Sequence, residues 1–142
     1  MADETPSTAS VPRWTIAPAI RFVALLGLVA AYLQGGLDKA VDLPAAIGEM
    51  HHFGLEPAQP LALATIALEL VASLMILAGF WRWLAALALA AFTLAATFLA
   101  NRFWQATGAD RFMMENGFFE HLGLVGGFLL VAWMDLRERA WR

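Results

Sequence analysis

Long apolar runs alternate with short polar connections along this chain, and four of the runs are long enough to cross a bilayer as single helices. They lie at about 14–35, 61–80, 84–101 and 117–134, each close to the ~20 residues that ~30 Å of hydrocarbon demands at ~1.5 Å rise per residue. Trp81, Arg82 and Trp83 form a tight turn between the second and third runs. The connection from Gly35 to Pro60 is longer and polar, and its central part, Leu43 to Phe53, suits a short interfacial helix begun by Pro44. The connection from Arg102 to Asn116 contains Gly108 and the adjacent Met113 and Met114, and is expected to be irregular. The pattern predicts an all-α fold: an integral membrane four-helix bundle with a short outer-face interfacial segment between helices 1 and 2. A soluble bundle would keep a charged face on every helix, whereas Leu84 to Ala100 carries no charge at all.

Composition agrees with the pattern. Hydrophobic residues make up 61% and charged residues 15%, against ~25% charged in a typical soluble domain, and the mean hydropathy is +0.65. Twelve acids against 9 bases leave a net charge of -3 and no basic footprint for DNA or RNA, so no nucleic-acid partner is expected. With no cysteine, the chain can form neither a disulfide nor a thiolate metal site, and any redox chemistry must come from a cofactor or partner.

The ends are polar. Residues 1–13 are expected to be a disordered cytoplasmic tail; Asp3 and Glu4 stand where a signal peptide would be basic, so the first apolar run should stay as an anchor. The membrane domain is expected at 14–136, followed by a basic cytoplasmic tail at 137–142. Arg13, Arg21, Arg82, Arg137, Arg139 and Arg142 fall on one side, against Lys39, Arg102 and Arg111 on the other. This bias places both termini of the multi-pass chain in the cytoplasm, with the longer connections outside. Arg21 lies near enough to the inner interface to snorkel. The tryptophans at 14, 81, 83, 104, 133 and 141 fall at span ends, as interfacial anchors do.

One residue breaks the apolar logic. Glu69 sits at the centre of the second span, where a carboxylate is costly and, where found, usually faces a bundle interior or wet cavity. Thr65, Glu69 and Ser73 recur every four residues, as do Thr93, Thr97 and Asn101 on the third span, so each helix carries a polar stripe and the two should face each other. Gly27, Ala31 and Gly35 form a small-residue ridge on the first span, and Gly123 and Gly127 a G-x-x-x-G pair on the fourth. That pair could pack within the bundle, the reading favoured here, or between copies in a homodimer. Counted from the expected helix starts, Glu69 and His121 lie ~12 Å and ~6 Å deep and could meet directly or through water. The candidate site is then an outward-opening polar pocket of Glu69, His121, Glu120, Asn116, Asn101, Lys39, Thr65 and Thr97. Taken singly, the hydroxyl and amide side chains could equally be hydrogen-bonded glue between helices.

No metal site is expected. His51 and His52 are sequence neighbours, so on a helix their side chains diverge by ~100°, and their spacing fits no zinc pattern. Copper or zinc would need the loop to fold one of them onto His121 and a carboxylate. There is no Walker loop, G-x-G-x-x-G, nucleophile elbow or H-E-x-x-H, so no self-contained catalytic motif is present.

Arg21, Gly36-Leu37-Asp38-Lys39, Glu69-Leu70, Gly79-Phe80-Trp81-Arg82 and Asn116-Gly117-Phe118-Phe119 leading into a Gly126-containing last helix together resemble the DoxX family, from about Arg21 to Asp135. The resemblance implies a four-helix inner-membrane protein. Some such relatives are membrane subunits of thiosulfate:quinone oxidoreductases, and others join redox or stress-defence complexes. It carries over to Lys39, Glu69 and Arg82 by position. Where the family pattern often has Lys-Asn this chain has Glu120-His121, which makes the pocket mouth less welcoming to an anion such as thiosulfate. The leading expectation is an accessory or anchoring subunit of a membrane redox complex, with membrane lipid and protein partners, whose pocket takes a quinone or other small ligand. The alternatives are a structural or chaperone-like membrane protein with no ligand chemistry, and a small-molecule or proton-coupled transporter. Four short-looped helices leave the last little room for alternating access.

Overall fold

The computed structural model describes residues 18–141; the expected tail at 1–13, Trp14 and Arg142 lie outside them. Five α-helices follow one another: α1 (Pro18–Val41), α2 (Leu43–His52), α3 (Ala58–Ala78), α4 (Arg82–Ala100) and α5 (Gly108–Ala140), with one 3-10 turn at Phe103–Gln105 before α5. There is no strand among the described residues. α1, α3, α4 and α5 are the four membrane-length apolar helices, and α2 is the short segment expected between the first two spans.

Local chemistry sets the boundaries. Asp42 separates α1 from α2, and its Oδ1 accepts from the Ala45 amide at 3.1 Å as an N-cap, with proline in the first turn. Glu56 Oε2 accepts from the Ala58 amide at 3.0 Å at the start of α3. α3 stops at Gly79, whose φ of 79° no side-chain-bearing residue adopts cheaply, and the Met75 carbonyl accepts from both Gly79 and Phe80. Arg82 Nε donates to the Ile76 carbonyl at 2.8 Å, answering another free carbonyl of that helix end. The first turn of α4 is capped from a distance: the Trp83 amide donates to Asp135 Oδ2 on α5 at 3.2 Å.

The second long connection is more ordered than its composition implies. α5 begins at Gly108 rather than Gly117, because Gly108, at φ 60°, starts the helix instead of breaking it, and Asp110 sits in the first turn where the helix dipole favours an acid. Met113 and Met114 are therefore helical.

α1 packs on α3, α3 on α4 and α4 on α5, and α2 lies against α3 and the end of α1. The fourth side of the ring, between α1 and α5, is the thinnest contact. The core is built from Val29, Ile76, Leu89 and Phe128 with small Ala72, Ala85, Ala86, Ala90 and Ala132 between them, and a satellite of Ala46, Met50, Ala58 and Ala62 holds α2 on α3. Outward faces are equally apolar: Val23, Val71, Leu74, Leu129 and Leu130 are all exposed. A soluble monomer rarely shows so much contiguous apolar surface; facing lipid it costs nothing, and this is a membrane protein. Trp81, Trp104, Trp133 and Trp141 are exposed near helix ends, while Trp83 is half-buried.

The glycines divide by what surrounds them. A Cβ on Gly36 would lie 2.8 Å from Leu70 Cδ2 and 3.2 Å from Glu69 Cβ, so α1 and α3 approach this closely only because the residue is glycine. A Cβ on Gly126 or Gly123 would meet nothing within 4 Å, and one on Gly127 would lie 3.0 Å from Leu28 of α1. Gly127 thus packs inside the chain, and Gly123 does not. Gly36→Ala is expected to destabilise the protein by about 1–3 kcal/mol through overpacking, whereas Gly126→Ala should be neutral or gain up to ~1 kcal/mol of helix propensity; thermal unfolding of the two variants in detergent checks the contrast.

Candidate functional site

Tyr32, Gly35 and Lys39 recur at i, i+3 and i+7, and so share the face of α1 that looks inward. Lys39 Nζ straddles the Glu69 carboxylate, at 3.3 Å from Oε1 and 3.2 Å from Oε2. The Glu69 side chain is 8% exposed and that of Lys39 20%, which makes this a largely buried ion pair and not a surface bridge. Gly35 lies beside it, where a Cβ would stand 3.4 Å from Lys39 Nζ, an ordinary contact. One turn away, the Thr93 hydroxyl donates to the Leu89 carbonyl, so its single proton is spent and the buried Tyr32 hydroxyl must donate to Thr93 Oγ1. On α5, His121 Nδ1 lies 3.3 Å from Asn101 Nδ2, and Asn101 also donates to Thr97 Oγ1 at 3.3 Å. A neutral imidazole accepting at Nδ1 carries its proton on Nε2. A Cβ on Gly117 would crowd Asn101 Oδ1 at 3.2 Å, so glycine again permits the approach.

These groups surround a cavity of about 470 Å³, within the ~300–1,000 Å³ range of pockets that hold small organic ligands. The polar part of the lining, Lys39, Glu69, Thr65, Tyr32, Thr93 and His121, is drawn from all four long helices, with Glu49 added by α2; the rest, including Phe92, Ala96, Leu99 and Leu124, is apolar. A second cavity of about 310 Å³, lined by His52, Arg102, Gln105 and Met114, lies between the end of α2 and the α4–α5 connection. The two share Phe53, Leu99 and Ala100 as a common wall.

Of the eight residues read from the sequence, Lys39, Glu69, Thr65 and His121 line the larger cavity. Asn101 and the fully buried Thr97 stand behind His121 as its support. Asn116 and Glu120 are exposed and outside the lining: at ~100° per residue, Glu120 points well away from its neighbour His121, and Asn116, five residues back, lies ~140° round the helix. Glu69 and His121 form no direct hydrogen bond; they occupy walls of one hollow, with the near partner of Glu69 being Lys39. Tyr32 and Glu49 were not anticipated, although Tyr32 is the chain's only tyrosine and stands inside an apolar run. Ser73, last in the α3 stripe, is fully buried with no hydrogen-bond partner for its hydroxyl.

His51 turns to Glu56, Nδ1 to Oε1 at 2.7 Å, while His52 lies edge-on to Phe53, so the two imidazoles do diverge. Neither reaches His121, and no cluster of three potential ligands occurs among the described residues.

The opposite end of the bundle carries charges of another kind. Buried Asp135 accepts from Arg139 Nε at 2.8 Å and from the Trp83 amide, with Arg82 Nη1 3.9 Å from its other oxygen. Arg21 does reach outward, and there it meets Glu138 through two hydrogen bonds of 3.0 and 3.2 Å. Arg82 therefore belongs to a helix-end lock and not to the cavity. Asp135 went unread because it looked like the start of a polar tail.

A family model described as DoxX matches residues 20–102, more than half of the chain, taking in Lys39, Glu69 and Arg82 and ending before α5. No curated protein and no solved structure matches the chain.

The ion pair is asymmetric in a way that stability measurements can read. Lys39 is near the end of α1 and its stem can swing outward if its partner is lost, whereas Glu69 cannot leave mid-helix. Lys39→Met is expected to cost about 3–5 kcal/mol by stranding a buried charge, and Lys39→Met combined with Glu69→Gln should recover most of it; a double-mutant cycle by thermal unfolding at neutral pH measures the coupling.

Proposed function

The chain belongs to the DoxX family, and from that premise we propose that it is an accessory subunit of a membrane redox complex, holding a quinone or a similar small ligand in the Lys39–Glu69 cavity. The observation that carries the reading is an intramembrane ion pair forming the wall of a hollow large enough for a ring-sized head group. An ion pair kept only as glue would be packed tightly on all sides, and this one faces open space.

The chemistry favours a neutral polar head over an anion. Lys39 is already balanced by Glu69, and Arg102 lines the second cavity, with its Nε committed to the Leu99 carbonyl. Ring carbonyls could accept from the Lys39 ammonium, the Thr65 hydroxyl and an Nε2–H of His121, while the apolar wall takes the ring face. Glu69 and His121 supply titratable groups on two walls, the equipment needed to hand protons to and from a ligand whose charge changes. The family likeness supports a bacterial inner membrane, and the arginine bias supports both termini being cytoplasmic, which would put α2 and the cavity mouth on the outer side. Electron-carrying groups would then belong to the partner protein.

Protein extracted in native lipid should carry the ligand into native mass spectrometry. Glu69→Gln, which leaves Lys39 free to swing outward, should fold normally and weaken binding of a decyl-chain benzoquinone about tenfold, ~1.4 kcal/mol. Ala96→Phe, filling the cavity from the α4 wall, should abolish binding. Unaltered affinity in both variants would remove the cavity from the function and leave the ion pair a structural device.

A further inference from the structure

We infer that the ligand is a long-chained amphiphile taken in sideways from the lipid, through the gap between α1 and α5, with its head at the Lys39–Glu69 pair and its chain left in the gap. This rests on the ligand reading above and adds to it the class of molecule and the route.

The ring of helices is not closed. α1–α3, α3–α4 and α4–α5 are well packed, but the backbones of α1 and α5 approach each other at few points, and that of α2 comes close to neither α4 nor α5 among the described residues. What does join α1 to α5 lies toward the α3–α4 turn: the Arg21–Glu138 pair, Leu28 against Gly127, and the Tyr32 ring edge-on to Phe128 at 5.3 Å between centroids. From there toward α2 the facing groups are too small to shut the seam. Ala31 and Gly35 stand on α1, and Gly123 on α5, where an added Cβ would find nothing within 4 Å. Ala31 lines the cavity and is exposed as well.

The walls match that opening. Polar groups from α1, α3 and α4 line the cavity among apolar ones, and its α5 side offers Leu124 together with His121. A molecule with a hydrogen-bonding head and a hydrocarbon chain satisfies the polar and the apolar lining at once; a small water-soluble molecule would leave the apolar lining and the lipid-facing seam unfilled. The competing route runs through the second cavity, whose His52, Arg102 and Gln105 suit water, but Phe53, Leu99 and Ala100 stand between it and the ion pair.

Because the chain has no cysteine, each route can be closed separately. Ala31→Cys with Leu124→Cys can be bridged across the seam by a short bis-maleimide, and His52→Cys with Arg102→Cys across the second cavity. The readout is exchange of a radiolabelled decyl-chain benzoquinone from protein in lipid nanodiscs, each linked variant compared with its own unlinked form. Closing the seam is expected to slow exchange about tenfold or more relative to the same variant unlinked, and closing the second cavity should leave the rate unchanged. A chainless benzoquinone, corrected for partition into the lipid, should bind about tenfold more weakly. Slowing by the second bridge alone, equal rates in all forms, or equal affinity of the two rings would overturn the lateral route or the amphiphile class while leaving the cavity as the site. No binding of either ring to any unlinked form would overturn the ligand reading itself, and this inference with it.

Discussion

A carboxylate buried among membrane-length helices has to be answered by a cation that can reach it, and in this protein the approach of the two helices is allowed by a glycine. Gly36 removes the side chain that would hold α3 away from α1, bringing Leu70 and Glu69 against the α1 backbone. Lys39, one turn beyond Gly35, then sets its ammonium on that carboxylate. With a side chain at Gly36 the two helices would have to move apart. The polar wall of the cavity, and the position of α2 above it, follow from that single approach.

The two ends of the bundle use charge in opposite ways. Near the α3–α4 turn, Asp135, Arg82 and Arg139 spend their hydrogen bonds on helix ends and on one another, and Arg21 with Glu138 ties the outermost helices together. Those contacts fix geometry and enclose no space. At the α2 end the charged and titratable groups border open volume instead, and α2 rests on one half of the bundle alone. Side-chain bonds are concentrated where α3 turns into α4, and open volume lies at the end that carries α2.

Much of this was legible in the order of residues. Four spans, the short α2 and the isolation of Glu69 followed from run length and from the cost of a buried charge, both of which act on single helices. The pairing of side chains between helices did not follow, because it depends on rotation about each axis. Glu120 and His121 are adjacent in sequence and face different surroundings, and Asn116, placed at the pocket mouth by sequence proximity, is turned away by five residues of helix. Glu69 was linked to His121 by depth, yet Lys39 reaches it first because Gly36 draws α1 inward, a consequence that only the packed pair reveals. The start of α5 was misjudged for a local reason: glycine was read as a breaker where it serves as the first residue of the helix.

The length of α5 carries a consequence for the surrounding lipid. Arg111 and Arg137 are separated by ~39 Å of helix at ~1.5 Å per residue, close to the ~40–45 Å between the two polar boundaries of a bilayer including its head groups. Standing upright, α5 therefore acts as a gauge of membrane thickness, its arginines level with the phosphates on either face. In a thinner bilayer it must lean, and α4, its most intimate neighbour, must lean with it.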